Sequence, residues 1–233
     1  MRVRAALTLI AALAFAVSPL LVPGFGGFDT ERFPVPLPDP VVQPAGYAFA
    51  IWGVIYLWLL GSSGFGLLRR AGDAGWDATR APLIVSLAVG AAWLPVALAS
   101  APWACALIWV MLAGAIAALL RTPARDRLWL REAVGLYAGW LTAASAVAVG
   151  LVAAGWGVGP LTETGWAVAA LALALAVAAL VLLRVPSPAY AAAVAWALVA
   201  VTVQNGATGV GLLAALGALG IAALALLRLG RAG

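Results

Sequence analysis

The sequence predicts an all-α, polytopic transmembrane helix bundle. Of its 233 residues, 66% are hydrophobic and only 9% are charged, whereas about a quarter of the residues of a soluble domain are charged. Apolar runs of roughly 16 to 24 residues, close to the length that a bilayer core requires, divide the chain into about eight candidate spans. These runs cover residues 5–22, 45–68, 81–100, 103–120, 132–154, 163–183, 189–204 and 208–227.

The positions of the arginines support the count of eight spans. All thirteen cationic side chains are arginine, and with a cytoplasmic N-terminus every one except Arg32 falls on the cytoplasmic side. Because cytoplasmic loops carry an excess of Arg and Lys, this pattern predicts a multi-pass protein of the cell (inner) membrane with both termini cytoplasmic. The arginines on that side are Arg2, Arg4, Arg69, Arg70, Arg80, Arg121, Arg125, Arg127, Arg131, Arg184, Arg228 and Arg231.

The first span has two interpretations. Its basic start, its apolar run and the triplet Ala14-Phe15-Ala16 resemble a secretory signal with a small-residue cleavage site. The run continues to Val22, however, and its length of about 18 residues fits a membrane-spanning helix better.

The first outer loop, residues 23–44, is the only long connection, and prolines alternate with other residues over 33–40. Alternate prolines favour an extended, polyproline-like backbone. Such a loop could lie across the outer mouth of the bundle as a lid, or serve as a rigid surface spacer.

An aromatic stripe opens the second span. Phe49, Trp52 and Tyr56 stand at positions i, i+3 and i+7, so a helix projects all three from one side. Membrane insertion does not require such a stripe, since Leu and Ala suffice. The pattern therefore indicates packing or ligand contact inside the bundle.

The fifth span repeats this spacing. Tyr137, Trp140 and Ala144 again stand at i, i+3 and i+7, and the two spans run antiparallel. We expect the two stripes to form opposite walls of one site, although packing of the core explains them equally well. Gly135 and Gly139 in the same span form a small-xxx-small pair that permits close helix contact.

The tryptophans suggest a division of the chain. Nine of the eleven lie between Trp52 and Trp156, and the last three spans are rich in Ala, Leu and Val. We predict a five-helix transmembrane unit over 1–157 and a three-helix transmembrane appendix over 158–233. Four tryptophans near span ends suit an interfacial belt, and five lie deeper. The first set is Trp103, Trp129, Trp156 and Trp166, and the second is Trp52, Trp93, Trp109, Trp140 and Trp196.

Several classes of function are disfavoured. The chain has no histidine and a single cysteine, Cys105, so a catalytic triad, an intrachain disulfide and the common metal sites lack their residues. No charge falls mid-span, which counts against an ion-coupled transporter. The arginines lie in short loops and form no nucleic-acid-binding patch. We expect no enzyme activity, no catalytic residue, no metal and no cofactor.

The aromatic positions resemble a known family. Pro44-x4-Phe49-x2-Trp52-x3-Tyr56, Trp93 and Tyr137-x2-Trp140-x3-Ala144 are similar to the second-, third- and fifth-helix motifs of the tryptophan-rich sensory protein (TspO/MBR, translocator protein) family. The resemblance covers about residues 5–155. Leu136 stands where the family has proline, the spacing from Phe49 to Trp52 is three rather than four, and three further spans follow. The chain resembles a divergent, extended branch.

The resemblance carries expectations about function. Members are five-helix membrane proteins that bind tetrapyrroles, sterols and synthetic aromatic ligands in a cavity closed by the first loop. It implies a sensor or translocator-like protein that binds a small apolar or aromatic ligand within the lipid bilayer. The residues implied to line or border the cavity are Phe49, Trp52, Tyr56, Trp93, Tyr137, Trp140 and Ala144.

Two other functions stay open at the level of the sequence. One is a carrier or permease for an uncharged small molecule. The other is a structural subunit of a membrane complex, with the Gly135 and Gly139 face and the Ala-rich appendix as interfaces. Whether the chain forms a homo-oligomer is also open.

Overall fold

A computed structural model describes residues 1–22 and 26–230, and in these residues it contains eight α-helices and no β-strand. All eight are long and apolar enough to cross a membrane, α2 being counted with the short 3₁₀ helix Gly46–Ala50 that precedes it. The predicted fold class is therefore confirmed. The helices are α1 (Arg2–Leu21), α2 (Ile51–Arg69), α3 (Ala74–Ala99), α4 (Ala101–Leu119), α5 (Arg131–Gly155), α6 (Glu163–Arg184), α7 (Pro188–Asn205) and α8 (Gly209–Gly230).

The third helix begins seven residues earlier than predicted. Asp73 caps its N-terminus by accepting a hydrogen bond from the backbone N–H of Trp76 at 3.1 Å, as an N-cap carboxylate is expected to do. Arg80, which we assigned to a loop, lies inside the helix and is only 2% exposed. Its guanidinium donates to the backbone carbonyls of Gly66 and Arg70. Hydropathy misses this first part of the helix because its polar residues are paired within the protein.

The fifth helix is the centre of the bundle. It packs against α4, α6 and α7, and more lightly against α2. In its most apolar stretch 78% of the residues are buried, a larger share than in any other described helix. The first helix packs on α2 and α3, and α8 packs on α6 and α7. The hydrophobic core therefore forms around α5.

The predicted small-residue contact of α5 is made with α7 of the same chain. A Cβ atom at Gly139 would clash with the carbonyl oxygen of Tyr190, and one at Gly135 with Oγ of Ser187. This glycine face is therefore covered by α7 and is not free for a second protein, so the structural-subunit alternative keeps only the Ala-rich appendix as an interface. The close approach joins the two predicted units, whose division at 157 stays a prediction.

A buried carboxylate strengthens the same contact. Glu132, at the start of α5, accepts hydrogen bonds from Oγ of Ser187 at 2.7 Å and from the backbone N–H of Ala189 at 3.1 Å. Glu132 thus accepts from one of the backbone amides at the N-terminus of α7, which an isolated helix leaves without partners, and Ser187 accepts from the next, the N–H of Tyr190.

Apart from Arg32 in the first loop, the arginines of the described residues gather at one end of the bundle, which we call the arginine-rich end. Ion pairs join Arg4 to Asp77 and Arg70 to Asp126 there, and Arg228 donates to the carbonyl of Leu183. Arg231 lies outside the described residues. The side of the membrane that this end faces stays a prediction.

The first loop lies across the opposite end of the bundle. Residues 33–40 are not simply extended, because the backbone N–H of Leu37 and the carbonyl of Leu37 both bond to Thr30. The N–H of Val35 donates to the carbonyl of Gly155 at the end of α5. The alternating prolines lack an N–H, so Val35 and Leu37 supply the donors that fix this fold.

The end of the loop is fastened to α6 and α7. The N–H of Val41 donates to the Glu163 carboxylate, and the carbonyl of Val41 accepts from Nδ2 of Asn205. The N–H of Ala45 donates to the carbonyl of Ala200. Of the two interpretations of the loop, the arrangement agrees with a cover over the bundle and not with a spacer on its surface.

Candidate ligand-binding site

The two predicted aromatic stripes meet. The rings of Trp52 and Trp140 lie edge to face with their centroids 6.0 Å apart, and Phe49 meets Trp140 in the same way at 5.9 Å. Trp52 also stacks on Tyr56, with centroids 5.5 Å apart and an angle of 17° between the planes. These are the favoured geometries of aromatic pairs. The helices α2 and α5 thus face each other through rings.

A cavity of about 230 Å³ lies between these rings, in the half of the bundle nearer the first loop. Six of the seven predicted site residues line it, and Tyr137 does not. The lining residues are Phe15, Ser18, Pro19, Val22, Phe49, Trp52, Tyr56, Gly90, Trp93, Leu94, Ile108, Met111, Trp140, Leu141 and Ala144.

Phe15 is a wall of this cavity that our sequence reasoning missed. Its ring is 4% exposed and contacts Tyr56, Tyr137 and Trp52 at centroid distances of 5.1, 5.5 and 5.7 Å. Gly90 faces this ring and leaves room for it, since a Cβ atom at that position would lie 2.7 Å from the Phe15 ring. The available signal was that Phe15 is the only aromatic residue in the first span.

Tyr137 lies outside the cavity and packs against one of its lining residues. It is fully buried, packs against Phe15, and shares a hydrogen bond of 2.9 Å with Oγ of Ser86. Ser86 in turn donates to the carbonyl of Met111 at 2.6 Å. These two hydrogen bonds link α5 to α3 and α4, and they fix the Tyr137 ring that packs against Phe15.

Trp93 and Ala144 form the wall of the cavity between α3 and α5. The indole N–H of Trp93 donates to the carbonyl of Ala104 at 2.8 Å, which fixes the ring across the α3–α4 hairpin. Phe28 of the first loop lies against the same indole, with centroids 6.2 Å apart. The loop therefore packs against the wall of the cavity.

Trp140 has a polar atom without a partner. Its side chain is 2% exposed, and its Nε1 has no hydrogen-bond partner in the structure. An unpaired buried donor costs about 1–3 kcal/mol, so such groups in native proteins call for an explanation. Nε1 itself is not accessible from the cavity that the Trp140 side chain lines, so a ligand acceptor would reach it only after the indole turns.

The lining determines the kind of ligand that the cavity admits. None of the lining residues carries a charge, and transfer of an unpaired charge into such surroundings is costly. Ser18 uses its hydroxyl to donate to the carbonyl of Phe15. The cavity thus offers mainly ring faces and aliphatic surface, which suit an uncharged ligand.

The remaining tryptophans lie outside this cavity. Trp196, which we placed among the deeper ones, is 39% exposed and donates from Nε1 to the carbonyl of Ala48 before α2. Trp109 does not line the cavity either. Trp103, Trp129 and Trp156 are exposed, as residues of an interfacial belt would be.

No metal site is apparent in residues 1–22 and 26–230, where no three His, Cys, Asp or Glu side chains are grouped to hold an ion.

Comparison with known proteins defines the family of the chain. The model of the family described as "TSPO-like protein" matches residues 6–229, and thus includes α6, α7 and nearly all of α8. No curated protein and no solved structure matches the chain. The family match confirms the resemblance carried by the aromatic motifs and extends it to the last three helices. The chain is therefore a multi-pass membrane protein that belongs to the TSPO-like protein family.

Proposed function

We propose that this protein binds a small, uncharged, flat apolar ligand inside the membrane and acts as a sensor or translocator-like protein. The observation that carries the proposal is the cavity of about 230 Å³ between aromatic rings of α1, α2, α3 and α5. Buried, mostly apolar cavities with few polar groups are the usual form of small-molecule sites. A turn of the Trp140 indole would add its unpartnered Nε1 as one such polar group.

The size of the cavity bears on the ligand class. Its volume lies below the range of about 300–1,000 Å³ typical of sites for drug-sized molecules. A ligand of two or three fused rings suits this space better than a whole tetrapyrrole macrocycle, which would require the rings to move apart. Tetrapyrroles and sterols therefore serve as comparison ligands in the test.

Tryptophan fluorescence tests the proposal. Purified protein is titrated with a panel of fused-ring aromatics, quinones, sterols and tetrapyrroles, and quenching is compared between wild type and Trp52→Leu. Loss of the Trp52 indole should weaken binding about tenfold or more, since burial of a large apolar side chain contributes about 1.5–3 kcal/mol. Trp103→Leu is the control, because Trp103 is 70% exposed and lies outside the cavity.

Folding of each variant is checked by circular dichroism and thermal unfolding. Equal affinity of wild type and Trp52→Leu for every ligand that binds would contradict the proposal, as would a panel without any saturable binding.

We propose further that the arginine-rich end faces the cytoplasm, which places the first loop and the cavity in the outer half of the cell membrane. The support is the excess of arginine at that end. In a Cys105→Ala background, a membrane-impermeant maleimide added to intact cells should label Val158→Cys but not Ala124→Cys. Both positions are exposed, and the opposite labelling pattern would reverse the orientation.

A further inference from the structure

A second cavity, of about 80 Å³, lies beyond the wall of the first, towards the last three helices. The two cavities share five lining residues, namely Phe49, Trp93, Ile108, Trp140 and Ala144. Its far side is formed by α6 and α7, and the first loop covers it with Val42, Gln43 and Pro44. The two spaces are therefore adjacent and share part of their lining.

The two cavities differ in chemistry. Rings line the first, whereas alanine side chains of α5, α6 and α7 dominate the second, among them Ala146, Ala174 and Ala197. Apart from the indoles of Trp93 and Trp140, Gln43 is the only lining residue with a polar side chain. A narrow aliphatic space of this kind suits a flexible hydrocarbon chain better than a ring system.

The unpartnered donor lies on the shared wall. Trp140 lines both cavities, is 2% exposed, and leaves its Nε1 without a hydrogen-bond partner. Nε1 is not accessible from either space in this structure, so an acceptor atom placed where the two spaces adjoin would satisfy it once the indole turns towards that atom. In a ligand that occupies both spaces, that position corresponds to the junction of ring and chain.

We propose that the ligand is a ring ketone or quinone with an aliphatic chain: the ring occupies the aromatic cavity, its carbonyl oxygen accepts the hydrogen bond of Trp140 Nε1, and the chain occupies the alanine-lined cavity. This inference rests on the proposed function and specifies its ligand. It also gives α6 and α7 a part in binding, since both supply walls of the chain subsite.

Three probes separate the parts of the proposal. They are methylnaphthoquinone, methylnaphthoquinone with one prenyl group, and methylnaphthalene with one prenyl group. Dissociation constants are measured by calorimetry in detergent micelles, with the signal of protein-free micelles subtracted. In the wild type the prenyl group should strengthen quinone binding about tenfold or more, because its burial removes several apolar carbons from water.

Two variants and a matched control locate the contacts. Ala174→Leu fills the second cavity and should remove the gain from the prenyl group while leaving the affinity for methylnaphthoquinone unchanged. Ala172→Leu on the same helix is the control, because Ala172 is exposed and lines neither cavity. Trp140→Phe keeps a ring but removes the N–H. It should weaken binding of the two quinones about threefold to tenfold and leave binding of the prenylated methylnaphthalene unchanged.

Each outcome decides a different claim. Binding of methylnaphthoquinone without any gain from the prenyl group in the wild type overturns the inference and leaves the proposed function standing. An equal loss of affinity for both quinones in Ala174→Leu also overturns it, since the aliphatic chain of the ligand would then not occupy this space. If neither quinone binds, the inference is overturned whatever the other ligands do, and failure of every fused-ring ligand also overturns the proposed function.

Discussion

Individual side chains explain why part of the cavity lining was predictable. Phe49, Trp52, Tyr56, Trp93, Trp140 and Ala144 line one cavity, and helical spacing together with the family motifs pointed to all six. Phe15 was missed because a single aromatic residue in an apolar run has no periodic partner. Tyr137 was expected in the cavity but bonds to Ser86, a contact between distant helices that spacing along one helix cannot reveal.

Asp126 is the residue that fastens the arginine-rich end. Its carboxylate accepts two hydrogen bonds from the Arg70 guanidinium, at 2.7 and 3.2 Å, and one from Nε1 of Trp76 at 3.0 Å. The Arg70 hydrogen bonds, and then that of Trp76, hold the pKa of the Asp126 carboxyl below its ordinary value of 3.8, although burial acts in the opposite direction.

The lowered pKa predicts a dependence of stability on pH. A group whose pKa is lower in the folded state stabilises fully above its unfolded pKa and loses that contribution as the pH falls through the folded value. Asp126→Asn should therefore lower the thermal unfolding temperature at neutral pH, and the difference from wild type should shrink towards the strongly acidic range. Unfolding is followed by circular dichroism across pH in detergent. A difference that stays constant to low pH would contradict the prediction.

At the scale of helices, the packing of α5 on α7 depends on glycine. A small-xxx-small pair was visible in the sequence, but it did not show which helix packs against it. The last three spans are almost uniformly apolar, so their sequences did not identify the partner helix. The structure assigns the contact to α7, where Gly139 faces the carbonyl of Tyr190 and Glu132 caps the helix N-terminus. The hydrogen bonds of Glu132 and Ser187 specify this pairing more than apolar surface does.

Gly139→Ala should therefore destabilise the protein by about 1–3 kcal/mol, the usual cost of overpacking. The added Cβ would meet backbone, which cannot rotate away as a side chain can. Gly53→Ala is the matched control, since a Cβ atom there meets nothing within 4 Å, and alanine is favoured over glycine in a helix. Thermal unfolding in detergent compares them, and equal unfolding temperatures of wild type and Gly139→Ala would disprove the close contact.

The conformation of the first loop could not be predicted from its local sequence. Alternate prolines predicted an extended backbone, yet Thr30 folds the segment back and Val41 fastens it to α6 and α7. Those partners are more than a hundred residues distant in sequence from Val41. Covering of the bundle end is therefore a tertiary property, and propensity alone could not decide between a cover and a spacer.

For the whole molecule, the sequence predicted a membrane helix bundle but not that α5 lies at its centre. Hydropathy and arginine placement led to eight spans, and residues 1–22 and 26–230 contain eight helices long and apolar enough to cross a membrane. The central place of α5 was not predictable, because apolar residues face lipid and core alike in a membrane. The family match over residues 6–229 and the second cavity, which α5, α6 and α7 line together, both connect the last three helices with the first five.

The central claim is that the space between α2 and α5 holds the ligand. Photoaffinity labelling of the detergent-solubilised protein with a diazirine derivative of methylnaphthoquinone, followed by peptide mass spectrometry, tests it most directly. We predict that labelling falls on Phe49–Tyr56 and on Trp140–Ala144 and disappears with excess unlabelled methylnaphthoquinone. Labelling confined to exposed positions such as Leu57 or Trp103, without competition, would contradict the claim.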